Sequence, residues 1–307
     1  MEFLQPGSLA EALAAKAAAP AAVPIAGGTD VMVELNFARR RPAVLLDLTR
    51  VPELTGWSLR AGKLRVGAGV TYAQLTGERG RDADGLGRLL PGLAMAARTV
   101  GSPQIRNRGT IGGNLGSASP AGDCHPSLLA SGAEIEVASV SGARTIPAGE
   151  FFTGVKRSAL APDELIVAVW ISPPSGPEQF AKIGTRNAMV IAVAAFGLAL
   201  HPGRRAVGTG IGSAAPTPVR APDAESFLAG ALDEAGLWES RGALPPAVAE
   251  EFGRLVSAAA SPIDDVRGTA AYRRHALAVL ARRTLTWAWA DYQRAGSADS
   301  GGSGVRG

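Results

Sequence analysis

Residues 101–123 read G-S-P-Q-I-R-N-R-G-T-I-G-G-N-L-G-S-A-S-P-A-G-D. Apolar periodicity vanishes across them, so they read as a loop of about twenty residues, a length that a compact domain keeps for function or leaves disordered. From Thr110 onward, Ile111, Gly112, Gly113 and Asn114, then Ser117, Ser119, Pro120 and Asp123, offer backbone donors, hydroxyls, an amide and a carboxylate. That set suits a pyrophosphate plus ribose hydroxyls better than a tight turn. A second glycine segment lies upstream, Gly27-Gly28-Thr29-Asp30. Alone it is equally ordinary turn chemistry with Asp30 as a helix N-cap. Two such segments in one chain imply a dinucleotide.

The surroundings of both segments read as regular structure. Ser8 and Glu11 form a capping-box pair opening an alanine-rich helix that stops before Pro20. Val23 to Ile25 is a short strand, the GGTD turn follows, Val31 to Arg40 is a helix, and Val44 to Leu48 is a second strand. Leu64 to Val66 and Val70 read as a strand. Apolar residues at 86, 89, 90, 93, 94 and 97 have helical spacing over Leu86 to Ala97. Beyond the long loop come a short helix around Ser127 to Ala130, a strand at Ala133 to Ala138 and a strand at Glu164 to Ile171. Pro173, Pro174, Gly176 and Pro177 mark a domain boundary. After it, Phe180 to Gly184 is a strand, Ala192 to Leu200 and Ala206 to Gly212 form a hairpin, and helices cover 223–232, 246–260 and 269–291. This second unit is a sheet with helices on one face. The tail 295–307 is rich in Gly and Ser and reads as disordered.

Composition narrows the function. The chain has 307 residues, 46% hydrophobic and 19% charged, which excludes disorder for the bulk of it and is long enough for at least two domains. One cysteine, Cys124, excludes an internal disulfide and a self-contained iron–sulfur cluster. The net charge is +4, and no basic stretch is interleaved with aromatics, so nucleic acid is not a partner. Met189 to Leu200 is too short to span a bilayer, which needs roughly 20 residues, and the N-terminal stretch lacks a basic leader. A cytoplasmic, non-membrane protein is expected. Three tempting patterns are set aside. Gly208-Thr-Gly210-Ile-Gly212-Ser213 ends a strand and opens no helix, so it is not a dinucleotide fingerprint. His125, His201 and His275 share no metal-ligand spacing. Adjacent Cys124 and His125 point apart and make a poor nucleophile pair.

Longer segments carry a resemblance. Pro24-IAGGTD-Val31, Leu64-RVGAGVTYAQL-Thr76 and above all Ser102-PQIRNRGTIGGNLGSASPAGD-Cys124 resemble the FAD-binding medium subunits of the xanthine dehydrogenase and carbon monoxide dehydrogenase family of molybdenum hydroxylases. Phe180-AKIGTR-Asn187, Ala214-APTPVRAPDAE-Ser226 and Asp264-DVRGTAAYRRHALAVLARR-Thr284 extend the likeness to the C-terminal half. The resemblance implies an α+β protein: a two-lobed FAD-binding domain of the vanillyl-alcohol oxidase (PCMH) type over 1–175, with lobes of about 1–55 and 56–175, then a smaller α+β domain over 176–294 like the C-terminal domain of the carbon monoxide dehydrogenase flavoprotein. It implies that Pro24, Ile25, Ala26, Gly27, Gly28, Thr29 and Asp30, with Thr110, Ile111, Gly112, Gly113 and Asn114, cradle the FAD pyrophosphate through backbone N–H groups. Ser117 and Asp123 would hold polar groups of the cofactor. Val100 and Gly101 would line the cleft, and Leu165 and Lys182 would lie near the flavin. Read without the family, Lys182 is a strand residue facing solvent.

The implied function is an oxidoreductase subunit that transfers electrons. No residue of this chain acts as acid or base, and the cofactor carries the chemistry. Molybdopterin sits on a large partner subunit and [2Fe–2S] clusters on a small one, with NAD⁺ or another acceptor receiving the electrons. The sequence Arg186-Asn187-Ala188-Met189-Val190 stands where some members place an acidic residue or a tyrosine, which leaves the acceptor open. Two rivals are weighed. A free-standing flavin oxidase would need its own catalytic constellation, and none is visible. A scaffold subunit without FAD sits badly with intact glycines in both segments.

Overall fold

The computed structural model describes residues 1–77 and 85–301. Its first lobe is a three-stranded sheet of β1 (Glu2–Leu4), β2 (Val23–Ile25) and β3 (Val44–Asp47), with β3 central and both pairings parallel. Helix α1 (Leu9–Ala18) starts at Ser8, whose hydroxyl accepts from the Glu11 N–H at 3.2 Å, and Glu11 in turn accepts from the Gly7 N–H at 2.8 Å. Helix α2 (Val31–Asn36) is shorter than the expected 31–40, and Asp30 stands at its N-cap without a side-chain capping bond.

The second lobe is an antiparallel sheet of β4 (Trp57–Arg60), β5 (Lys63–Gly67), β6 (Glu134–Ser139), β7 (Gly142–Pro147) and a later strand, with a small hairpin of β8 (Phe152–Gly154) and β9 (Arg157–Ser158) beside it. That later strand, β10 (Leu165–Ile171), lies between β5 and β6, so the order is β4-β5-β10-β6-β7. Its inner face packs on α3 (Tyr72–Thr76), α4 (Leu86–Leu89) and α5 (Pro91–Arg98) in one core that includes Val66, Leu75, Leu93, Ile135, Val137 and Val169. The helix expected over 86–97 is two helices. Pro91 has no N–H to donate into the preceding turn, so the chain breaks at Leu90 and restarts with Pro91 in the first helical position.

The long segment 101–123 is not a loop. It holds α6 (Pro103–Arg106), capped by Ser102, and α7 (Ile111–Ser117), capped by Thr110. Helix α8 (His125–Ala130) follows directly, and α9 (Ala148–Phe151) closes the lobe after β7.

The C-terminal sheet has the order β11 (Glu178–Ile183), β12 (Ala194–His201), β13 (Ala206–Gly212), all antiparallel. Helices α10 (Pro222–Glu234), α11 (Leu237–Ser240), α12 (Pro246–Ala258) and α13 (Ala270–Gly301) build a second core with Phe196, Phe252 and Trp289. The expected helices do lie on one face. The other face is covered too, by α5 and α8, and this explains the rejected Gly208-x-Gly210 pattern. A Cβ on Gly208 would stand 1.9 Å from the Ala130 carbonyl oxygen, and one on Gly210 would stand 2.1 Å from that of Pro126. These glycines let a helix backbone lie directly on a strand. The expected disorder from Ala295 is also corrected: α13 continues as helix to Gly301, a run that Ala295 and Ala298 favour through their high helix propensity. Residues 302–307 lie outside the described residues.

Candidate functional site

The two glycine segments meet. A Cβ on Gly27 would lie 1.9 Å from the Arg108 carbonyl oxygen, so the GGTD turn is pressed against the chain that leads into α7. This contact is possible only with glycine at 27. Their backbone donors, however, differ. Among the described residues, the N–H groups of Ala26, Gly27, Gly28, Thr29 and Asp30 have no protein acceptor. In the other segment the Ile111 N–H donates to the Val70 carbonyl at 3.0 Å and the Gly112 N–H to the Ala68 carbonyl at 2.9 Å. The Gly113 N–H donates to Thr110 Oγ1 at 3.0 Å and the Asn114 N–H to the Thr110 carbonyl at 3.0 Å. The expectation that both segments present N–H groups to a ligand is therefore corrected. Residues 111–114 use theirs to dock α7 on the second lobe and to cap it.

What the second segment does present is side chains. The Oδ1 atoms of Asn114 and Asp123 and Nδ1 of His125 are buried without a hydrogen-bond partner among the described residues. Buried polar atoms are nearly always paired in the functional state. Asp123 Oδ2 is fully engaged, accepting from Lys182 Nζ at 2.6 Å and from Thr99 Oγ1 at 3.2 Å. Lys182 also donates to the Thr99 carbonyl at 3.1 Å. Only 7% of the Lys182 side chain and 8% of that of Asp123 are exposed, so the solvent-facing reading of Lys182 is wrong. On β11 it shares a face with Phe180, which belongs to the first core, and that face looks toward α5. Burial lifts the Asp123 carboxyl above the ordinary carboxylate range, and Lys182 and Thr99 pull it part of the way back.

Cys124 and His125 are both fully buried. Burial pushes the thiol up, so it is no nucleophile. Burial pulls the His125 imidazole down to about 4; the neutral ring donates through Nε2 to the Asn114 carbonyl at 3.2 Å and lies 4.5 Å from the Phe152 ring. Ser117 Oγ donates to the same carbonyl at 3.0 Å. Gly101 has φ +47°, and the carbonyls of Val100 and Gly101 both accept from Arg106 Nη1. Pro24 and Ile25 form the end of β2, paired with Leu46 and Asp47. Leu165 joins the hydrophobic core, opposite Ala138, and adds no polar group. Sequence reasoning missed Thr99 and Tyr72. Neither carried a local signal, because each joins the corner only through the packing of α5 and α3.

A groove of about 860 Å³ on the outer face of the second lobe shares no residue with these segments. Its floor is the ion pair of Arg65 with Glu136 at 2.9 Å and the Trp170 Nε1–H donating to Glu136 at 2.7 Å, a self-satisfied sheet surface. Among the described residues no group of three or more His, Cys, Asp and Glu is placed to hold a metal ion.

Comparison with known proteins identifies the family. The family model of the FAD binding domain in molybdopterin dehydrogenase matches residues 1–174, and that of the CO dehydrogenase flavoprotein C-terminal domain matches residues 179–288. The nicotine 6-hydroxylase medium subunit of Paenarthrobacter nicotinovorans is 34% identical over 275 residues, 87% of this chain and 89% of its own. The carbon monoxide dehydrogenase medium chain of Afipia carboxidovorans is 30% identical over 293 residues, covering 92% and 95%. Among solved structures, a carbon monoxide dehydrogenase from Hydrogenophaga pseudoflava aligns with a TM-score of 0.83 and 26% identity, over 95% of this chain and 98% of that one. With unengaged N–H groups on one segment and unpaired polar side chains on the other, the chain belongs to the FAD-binding medium subunits of the molybdenum hydroxylases, and its cofactor is FAD.

Proposed function

We propose that this chain is the cytoplasmic electron-transfer subunit of its complex, taking electrons from [2Fe–2S] clusters on a small partner subunit and passing them to NAD⁺ or another acceptor. The large partner would hold the molybdenum cofactor and the organic substrate. The observations that support the reading are the five unengaged N–H groups at residues 26–30, on a turn pressed against Arg108, and the buried, unpaired Asn114 and Asp123 oxygens further along the segment that Arg108 leads into. Bound FAD supplies the redox chemistry, accepting electrons singly and releasing them as a pair.

The residues of this chain bind and orient. The N–H groups of Ala26 to Asp30, at the entry to α2, hold the pyrophosphate charge. Asn114 Oδ1 and Asp123 Oδ1 accept from hydroxyl or N–H groups of the cofactor, and Ser117 offers its remaining lone pair. Val100 and Gly101 form the wall. Lys182, fixed by Asp123 and the Thr99 carbonyl, would hold the Asp123 carboxylate in place at the corner. Residues 1–175 form the FAD-binding unit in this reading, and residues 176–294 form the second domain. The single cysteine means the clusters must sit on another polypeptide. Among the described residues no helix is long and apolar enough to cross a membrane.

The test is purification with the partners retained. The chain should carry visible flavin absorbance and recover an iron–sulfur and a molybdenum subunit, and substrate should bleach the flavin only when the iron–sulfur subunit is present. A colourless chain that FAD cannot reconstitute sinks the reading, as does substrate oxidation by this chain alone.

A further inference from the structure

Glu178 opens strand β11 as a buried carboxylate, 7% exposed, with no ion-pair partner among the described residues. Its one partner among the described residues is the Gly92 N–H, which donates to Oε2 at 3.0 Å. Gly92 is the second residue of α5, where N–H groups lack partners inside the helix. Four residues along the same strand, and therefore on the same face, Lys182 donates to the carbonyl of Thr99, the C-cap of the same helix. The lengths match: eight helical residues rise about 12 Å, and four strand steps span about 13 Å. An acid thus meets the positive end of α5 and a base meets its negative end. Between them Phe180 packs into the first core.

We propose that Glu178 and Lys182 form a two-ended clamp on helix α5, which makes Glu178 a positioning residue for the Asp123–Lys182–Thr99 corner at the helix's far end. Glu178 touches none of those three groups. It acts by fixing where α5 begins, and a rigid helix carries that constraint to Thr99. The inference rests on the proposed function for its meaning to the flavin, while the clamp itself is a property of the flavin-free chain.

The clamp also responds to protons. Burial lifts the Glu178 carboxyl to about 7, with the Gly92 N–H opposing. A protonated carboxyl still accepts that bond through its carbonyl oxygen, whereas the ionised form leaves a buried charge with one donor. The charged or titratable groups on elements packed against β11 are Arg98 on α5, His125 on α8 with Asp123 just before it, His201 on β12, and Tyr272, Arg273, Arg274, His275, Arg282, Arg283, Asp291, Tyr292 and Arg294 on α13; among the described residues none of them bonds to Glu178. A carboxyl raised on folding gives the folded state more bound protons than the unfolded one, so stability falls as pH climbs from the unfolded value toward 7 and levels off above it.

A double-mutant cycle on the full chain without FAD decides the matter. Urea unfolding of wild type, Glu178→Ala, Lys182→Met and the double variant should be non-additive, the second change costing at least about fivefold less in the folding equilibrium once the first end is released. Additivity within about twofold overturns the clamp, since sites this far apart without a shared element simply add. If the alanine variant fails to fold, Glu178→Gln carries the test. Between pH 5 and pH 8 the folding equilibrium of wild type should fall by roughly a hundredfold relative to that of Glu178→Gln, the other titrating groups being common to both, and an equal slope in both overturns it. With FAD added, Glu178→Ala should release the cofactor faster. Failure of every variant and of wild type to bind FAD would count against the proposed function and leave the cycle to judge the clamp.

Discussion

The two glycine segments look alike as sequence and behave oppositely as structure. Gly27-Gly28-Thr29-Asp30 leaves its N–H groups unengaged, whereas Thr110-Ile111-Gly112-Gly113-Asn114 engages all four N–H groups that follow Thr110. The first is a donor surface. The second is a docking joint that fixes α7 to the carbonyls of Ala68 and Val70 and leaves Asn114 Oδ1 and, further along, Asp123 Oδ1 buried without a partner among the described residues. A glycine pattern therefore reports close backbone approach, and only the fate of each N–H says whether a ligand or the protein itself makes that approach.

Substitutions test the contrast. The largest effect is expected where the second segment's side chains are paired in the interior: Lys182→Met strands the Asp123 carboxylate and should cost about 3–5 kcal/mol, read by urea unfolding at neutral pH, with the loss shrinking as acid protonates Asp123. Gly27→Val drives a side chain into the Arg108 carbonyl; overpacking of this kind costs about 1–3 kcal/mol, and FAD retention should be abolished because the donor turn is displaced. Thr110→Val removes the cap of α7 and should cost about 1 kcal/mol, with FAD affinity falling less than in Gly27→Val. A Thr110→Val chain that is fully stable yet loses FAD outright would mean the second segment is a donor surface after all.

Much of this was legible in the sequence. The strands β2, β3, β5, β6 and β10 to β13 and the long helices of the C-terminal half follow from periodicity, whereas β1, β4 and β7, short or mostly exposed, carried no such signal. The two helices inside 101–123 were hidden because Gly112, Gly113 and Gly116 have poor helix propensity. Their caps, Ser102 before Pro103 and Thr110 three residues before Gly113, were the available signals. Lys182 was misplaced because a strand lysine normally faces water, and only the arrival of α5 on that face makes the site interior. Gly208 and Gly210 were rightly refused as a nucleotide motif, but their reason lies in a helix some eighty residues earlier in the chain. Such long-range contacts leave no local trace. The site's donors were therefore identified by type, and their availability required the fold.

The most direct test of the central claim is amide hydrogen exchange on the full chain with and without FAD. The account predicts that amides 26–30 exchange fast without FAD and become protected when it binds, while amides 111–114 are already protected in its absence. Fast exchange at 111–114 that FAD suppresses, with 26–30 unchanged, would contradict it.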